Sequence, residues 1–412
     1  MSQCRAMYLL LSLFIMSAYA NTERTDSLTP KEINSPPTYS AALFDTKLSM
    51  RSGDETVLAI HNGLSRLEDR YINSRLFPEE KPLSKAGGIA YRLSKYILID
   101  LPVDNFSITF THEYFGHGAR YREQDWENVY YEIKIPFPYG TGGGAAIGSS
   151  SSSRVYSDHE WLALSSGGLE VQSLMNRELS LRWMARGDIY YREASLYLFS
   201  FMVNLVYFQT TREDTLHHDV AQYLRLLNDH AGYSDLGNLL MDAEDIKNRN
   251  IINLADPFLF YALYTQLKTY IWDGNLPGKL PMISIKGIDY LPSFRMGLAP
   301  FGPEYHLENY FRLKNKVLLL DLRIGDPTFY KSWGGIGLFA HNVYENKRFS
   351  LDVKFDIWKQ PGIEIGGEDS ITLKGGGLSG AFSIRGYYDF TSSQYPISAI
   401  LELGYKSPGI LM

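Results

Sequence analysis

The sequence predicts an α+β fold: a mostly helical region over residues 84–280, then an antiparallel β region over residues 281–412. Three observations carry this. Apolar residues recur at helical spacing up to about residue 274 and at a period of two from about residue 282. Cap and stop residues bracket the helical segments. The 412-residue chain is 45% hydrophobic and 21% charged, enough apolar matter for a real core and too much for disorder.

Taken in order, residues 1–20 read as an export signal. Arg5 is the only charge, Met7 to Met16 is apolar, and Ala18-Tyr19-Ala20 is a small-x-small cleavage site. The apolar run is too short to span a bilayer. The single cysteine, Cys4, would leave with the signal, which excludes a disulfide framework and a thiolate metal site. A net charge of −6 without a basic stripe excludes nucleic acid as a partner. The expected compartment is the periplasm or outer membrane of a Gram-negative bacterium.

Residues 21–83 form a lead-in, polar and proline-containing at first, with helical spacing from Glu55 to Ile72. Residues 84–124 read as two helices broken at Pro102, the second capped by Asp104 or Asn105. Tyr130 to Ile135 alternates like a strand, and the Gly-Ser-rich stretch from Pro136 to Ser153 reads as a flexible loop. Ser157 and Glu160 make a capping box for a long helix that Gly187 stops. Ala194 to Thr211 carries no charge, but Ser195, Ser200, Asn204 and Gln209 favour a buried bundle helix over a membrane span. Asp256-Pro257 opens another helix, which ends at Gly274.

Beyond residue 282, Leu318, Leu320, Leu322 and Ile324 share one face of a strand, with Asp321 and Arg323 on the other. Seven or eight strands of about ten residues are expected, with tight turns at Asn315-Lys316 and Glu345-Asn346-Lys347. Two architectures suit them. One is a soluble sheet with one face on the helices. The other is a small, about eight-stranded membrane β-barrel, apolar outside and polar inside, which an excess of tyrosine (30) and glycine (35) fits. The run from Pro408 to Met412, with no terminal aromatic, counts against the barrel.

The chemistry concentrates in Thr111-His112-Glu113-Tyr114-Phe115-Gly116-His117. Two neutral imidazoles can hold zinc, and a carboxylate beside them can take a proton from an attacking water. In the zinc-protease pattern the histidines are four apart and share a helix face. Here they are five apart, about 140° around a regular helix. One extra residue in the turn, a π-bulge, would realign them, and Gly116 makes that distortion cheap. The plain alternative is a polar helix whose histidines only hydrogen-bond.

The string His112-Glu113-x-x-Gly116-His117 resembles the motif of the dipeptidyl peptidase III family of zinc peptidases. The resemblance covers these six residues and implies a metal chemistry, not a shared fold or a dipeptide-releasing specificity, in a helical domain that is expected to be zincin-like. It implies that His112 and His117 bind zinc, that Glu113 is the base, and that a later helix supplies a glutamate as third protein ligand. Glu170, in Gly167-Gly168-Leu169-Glu170, is the candidate; Asp158, Glu160 and Glu178 are its rivals. Arg120 and His230 are possible auxiliaries, Arg120 as partner of a carboxylate near the metal or of Glu123, and His230 as an electrophile. His159 and His217-His218-Asp219 read as solvated helix starts.

The expectation is an exported zinc metallohydrolase holding one zinc ion and acting on a peptide or protein substrate, with its strands in or near an outer membrane. Two alternatives belong to other classes. One is a non-catalytic outer-membrane barrel with a helical exported domain. The other is an intramembrane protease of the site-2 type, disfavoured by the histidine spacing and the short apolar runs.

Overall fold

The computed structural model describes residues 43–44, 48–68, 71–72, 85–149, 155–215, 217–230, 240–314, 316–326, 334–345, 349–357, 362–373, 376–387 and 397–406. The expected export signal lies outside them. Helices fill most of the described chain up to Asp273 and strands fill most of the rest, so the fold is α+β.

Helix α1 (Met50–Glu68) leads in. Then α2 (Lys85–Lys95), a π-helical turn (Tyr96–Asp100), α3 (Leu101–Phe110), a second π-helical turn (Thr111–His117) and α4 (Gly118–Glu123) run on without interruption. The break expected at Pro102 is absent. The wide turn just before it, closed by the Leu101 N–H on the Tyr96 carbonyl, carries the chain past the proline. Pro102 has no N–H to offer the Leu98 carbonyl, and the Tyr139 hydroxyl donates to that oxygen instead, at 2.7 Å. Asp104 caps nothing; it is buried and accepts a hydrogen bond from Ser195.

Strand β2 (Glu127–Ile133) pairs with β3 (Gly144–Ser149), so part of the glycine-rich stretch expected as a loop is a strand. Helix α5 (Asp158–Arg186) begins on the Ser157/Glu160 capping box and ends at Gly187, φ 83°. A short strand, β4 (Asp188–Tyr190), leads into α6 (Tyr191–Gln209), followed by α7 (Asp219–His230), α8 (Ala243–Asn250), a 3-10 turn (Ile251–Ala255) and α9 (Pro257–Tyr264). Asp256 caps α9, accepting from the Phe258 N–H. A π-helical segment (Thr265–Asp273) extends α9 to Gly274, φ 80°. Strand β5 (Pro277–Lys279) pairs back with β4. Among the described residues no helix is long and apolar enough to cross a membrane.

The remaining strands form an antiparallel meander: β6 (Ile283–Ile285), β7 (Ile288–Ala299), β8 (Gly302–Leu313), β9 (Lys316–Gly325), β10 (Gly334–Glu345), β11 (Phe349–Ile357), β12 (Gly362–Leu373), β13 (Gly376–Tyr387) and β14 (Ile397–Lys406). Strand β1 (Leu43–Phe44) pairs with β14. The expected eight-stranded barrel becomes a ten-stranded sheet, and it is not closed: the three-residue β6 and two-residue β1 are its edges. At the turn expected at Asn315-Lys316, Leu313 pairs with Lys316 and Lys314 has φ 60°, while Asn315 lies outside the described residues. The turn at 345–347 falls partly outside the described residues.

The inner face of the sheet is mixed, with Leu291, Tyr310, Val317 and Leu319 in the core and carboxylates beside them. Glu308 of β8 and Asp321 of β9 meet Arg177 of α5 at 2.6 and 3.1 Å. The other face of β9 and β10 gathers Leu318, Leu320, Leu338 and Ala340 with Phe311, and runs out to exposed Ile324 and Ile336. Between helices and sheet lies the main core, where Trp183, Tyr197, Phe258 and Tyr310 meet. A second cluster joins Leu162 and Leu169 of α5 to Val220, Tyr223 and Leu224 of α7, and this contact brings the start of α7 to the motif helix.

Candidate metal centre

The wide turn over Thr111–His117 is the bulge that the five-residue spacing asks for. The Gly118 N–H reaches the Glu113 carbonyl, five residues back, and the extra residue rotates His117 toward His112. Their Nε2 atoms lie 3.3 Å apart. The turn is seated on α5. Phe115 and Ala119 pack on Val171, and each fully buried apolar side chain of this kind contributes about 1.5–3 kcal/mol. Gly116 lies so close to α5 that a Cβ there would sit 2.7 Å from the Gly168 Cα. A Cβ on Gly168 would sit 2.3 Å from His112 Nε2. The glycine pair of α5 thus serves to admit the motif helix.

The third group is Asp219, the first residue of α7. Its Oδ2 lies 2.9 Å from His112 Nε2 and 3.0 Å from His117 Nε2. Glu170 does not join them. It is two residues beyond Gly168, hence about 200° around the helix from the face that meets His112. Its carboxylate is held by Arg120, which also bonds Glu123 at 2.7 Å. Arg120 is therefore engaged by two carboxylates away from the imidazoles. His230 ends α7, and its side chain lies outside the described residues. The rivals are occupied as well: Glu160 in the capping box and Glu178 with Arg182. His159 bonds the Pro300 carbonyl.

The outer atoms of both imidazoles fit a metal. His117 Nδ1 sits 2.8 Å from the Leu164 carbonyl and so carries its proton there, which leaves Nε2 as the free lone pair. His112 Nδ1 lies 3.3 Å from the Gln172 side-chain amide nitrogen. The Gln172 oxygen is buried with no partner. Exchanging the amide nitrogen and oxygen lets His112 Nδ1–H donate to that oxygen, again freeing Nε2. The 3.3 Å between the two Nε2 atoms matches the edge of a tetrahedron with metal–ligand bonds of about 2.0–2.1 Å, while the Asp219 distances of 2.9 and 3.0 Å are hydrogen-bond lengths that a metal between the three atoms would widen slightly.

Charge follows the geometry. Burial works against a charged His117, yet the Asp219 carboxylate, with Glu113 behind it, outweighs burial and lifts the imidazole to about 9. Burial alone would raise Asp219, but His117 and His112 pull it well below the usual carboxylate range. Burial pushes Glu113 up, and the two imidazoles offset part of that. Glu113 lies beside the histidines and under β3, where it accepts from the Ala146 backbone and its Cγ lies 2.8 Å from where a Cβ on Gly144 would be. Tyr207 closes another side, its ring 5.9 Å from that of His112.

A second cluster of possible ligands, His306, Glu308 and Asp321, lies on the inner face of the sheet. Arg177, Arg295 and Arg323 all bond its carboxylates, so guanidinium groups already fill the place a cation would take. It is a paired polar core beside a cavity of about 210 Å³.

Sequence reasoning missed Asp219 and Gln172. Asp219 stood in a His-His-Asp string that reads as a helix start, which it also is. No family model, curated protein or solved structure matches the chain.

Proposed function

We propose that the protein is an exported zinc-dependent metallohydrolase, a peptidase, anchored in or near an outer membrane by its strands. The observation that carries this reading is the convergence of His112, His117 and Asp219 on one point, with the Glu113 carboxylate beside them. His112, His117 and Asp219 are the residues that would hold zinc, Asp219 taking the role first given to Glu170. Zinc bound there supplies a Lewis acid that polarises a substrate carbonyl and lowers the pKa of water. Glu113 takes a proton from the attacking water and hands it to the leaving amine. Its burial raises its affinity for a proton, which suits a carboxylate that must take one and return it.

Strand β3 suits an extended peptide. It belongs to a two-stranded sheet, and its second edge is open among the described residues. The motif resemblance agrees with peptide-bond chemistry. Outer-membrane anchoring rests on the export signal read in residues 1–20 and on the run of long antiparallel strands.

The test is Glu113→Gln in the full chain. Zinc content measured by mass spectrometry should stay stoichiometric, while hydrolysis of a mixed peptide library should disappear. Full activity in this variant removes Glu113 as base and the mechanism with it. Zinc in the wild type without hydrolysis of any peptide favours the non-catalytic outer-membrane reading.

A further inference from the structure

Three helical segments of this protein are apolar on their outer face as well as on the face that joins the core. Between Lys95 and His112 the only charged residues are Asp100 and Asp104, and both are buried, while Ile97, Leu98, Ile99 and Phe106 face outward. Between Glu193 and Arg212 there is no charge at all, and Met202 and Val206 are exposed. Between Arg249 and Lys268 the only charge is Asp256, again buried, while Ile251, Phe260, Leu263 and Leu267 face outward, Phe260 at 56% exposure.

A helix at a water surface keeps apolar residues on the core face only and carries charges outside. Here the charges meet in the interior. Lys95 pairs with Glu68 at 2.9 Å and Asp100 at 2.8 Å, and Arg192 with Glu68 at 2.7 Å, every one of these side chains almost fully enclosed. Charges are costly to bury, and a chain that buries them while leaving isoleucine, leucine and phenylalanine outside is matched to a surrounding that accepts no charge.

The three segments adjoin. Helix α6 packs on α3 and on α9, and the π-helical extension of α9 packs on α2, so their outward faces make one surface. That surface carries no charge, which complements hydrocarbon. Its rim is of the kind that sits among lipid headgroups. Trp272 is exposed with Lys85 Nζ 5.1 Å from its ring, Lys268 bonds Asp273, and Arg212 and Asp214 are exposed just past α6.

We propose that this face of α2–α3, α6 and α9 is immersed in the hydrocarbon of a lipid bilayer, so that the helical region meets lipid as well as the sheet. Among the described residues no helix is long and apolar enough to cross the bilayer; these helices lie in it by one face. Phe106 is six residues from His112, about 9 Å along the helix axis, so the candidate metal centre stands beside the membrane. The inference does not depend on zinc or on hydrolysis.

The full chain, reconstituted in vesicles of phosphatidylethanolamine and phosphatidylglycerol, is exposed to a phospholipid bearing a photoactivated carbene in its acyl chain. Labelled peptides should map to residues 93–106, 199–206 and 251–267. Absence of label from these segments overturns the proposal. In a Cys4→Ser background, Leu98→Cys, Met202→Cys and Leu263→Cys are spin-labelled, with Glu123→Cys and Glu244→Cys as water-exposed comparators. Collision with oxygen should exceed collision with a nickel chelate severalfold at the first three, and the order should reverse at the comparators. Nickel access equal to the comparators means a water-facing surface, and protection from both quenchers means a second copy or another part of this chain. Either result overturns immersion.

Discussion

At position 168 a single hydrogen decides whether His112 can reach the other two ligands. A Cβ at Gly168 would lie 2.3 Å from His112 Nε2, far inside contact distance, so Gly168→Ala must push the imidazole off the metal position. Zinc titration of the purified variant is expected to show a large loss of affinity with the fold retained by circular dichroism. Asp219→Asn should weaken zinc as severely, whereas Glu170→Gln, which touches only the Arg120 pair, should leave it unchanged. If Glu170→Gln loses zinc and Asp219→Asn keeps it, the ligand set is wrong. Gln172→Leu removes the partner of His112 Nδ1, and loss of such a support typically costs about 10–100-fold in metal affinity. The histidines and the glutamate were legible because their spacing is local. Asp219 was not, because 102 residues separate it from His117 and only the packing of α7 on α5 joins them.

The motif helix holds its two histidines together by a wide turn, and that turn depends on how near α5 can come. The five-residue spacing revealed the turn in the sequence, since no regular helix aligns such a pair. The capping box of α5, the Asp256-Pro257 start and the stops at Gly187 and Gly274 were legible for the same reason, being made by residues a few positions apart. Pro102 misled because its missing donor is compensated from a distance, by Tyr139. At this scale Gly116→Ala is the informative change. Its Cβ would meet the Gly168 Cα at 2.7 Å, backbone against side chain, so the two helices must separate. Overpacking of this sort costs about 1–3 kcal/mol, and the melting temperature should fall accordingly. Zinc affinity should fall with it, since His117 moves away from Asp219. An unchanged melting temperature and unchanged zinc affinity would mean that close approach of the helices is not what holds the turn.

Across the whole molecule, period-two alternation told which residues share a strand face but not which face looks inward. Asp321 and Leu320 are adjacent on one strand, and only Arg177 on α5 decides that the carboxylate goes inside. The interior that results is rich in enclosed polar groups, and this makes global stability sensitive to acid. His61 of α1 lies in that interior, Nε2 3.2 Å from the Ser107 hydroxyl. Burial, reinforced by the Arg192 guanidinium, drives its imidazole from 6.5 down to about 3. The unfolded chain therefore takes up a proton below pH 6.5 that the folded chain refuses until about pH 3. Stability from this group is complete above 6.5 and declines as the pH falls through that window, by about 1.4 kcal/mol per unit. His61→Gln keeps a hydrogen-bonding group for Ser107 and removes the titration. Urea midpoints of the metal-free protein, taken from about pH 7 to about pH 5, should fall more steeply for the wild type, by about 2 kcal/mol over the range from about 6.5 to 5. Parallel curves for the two proteins would show that His61 is protonated in the fold, and that the charges around it are arranged to hold a cation.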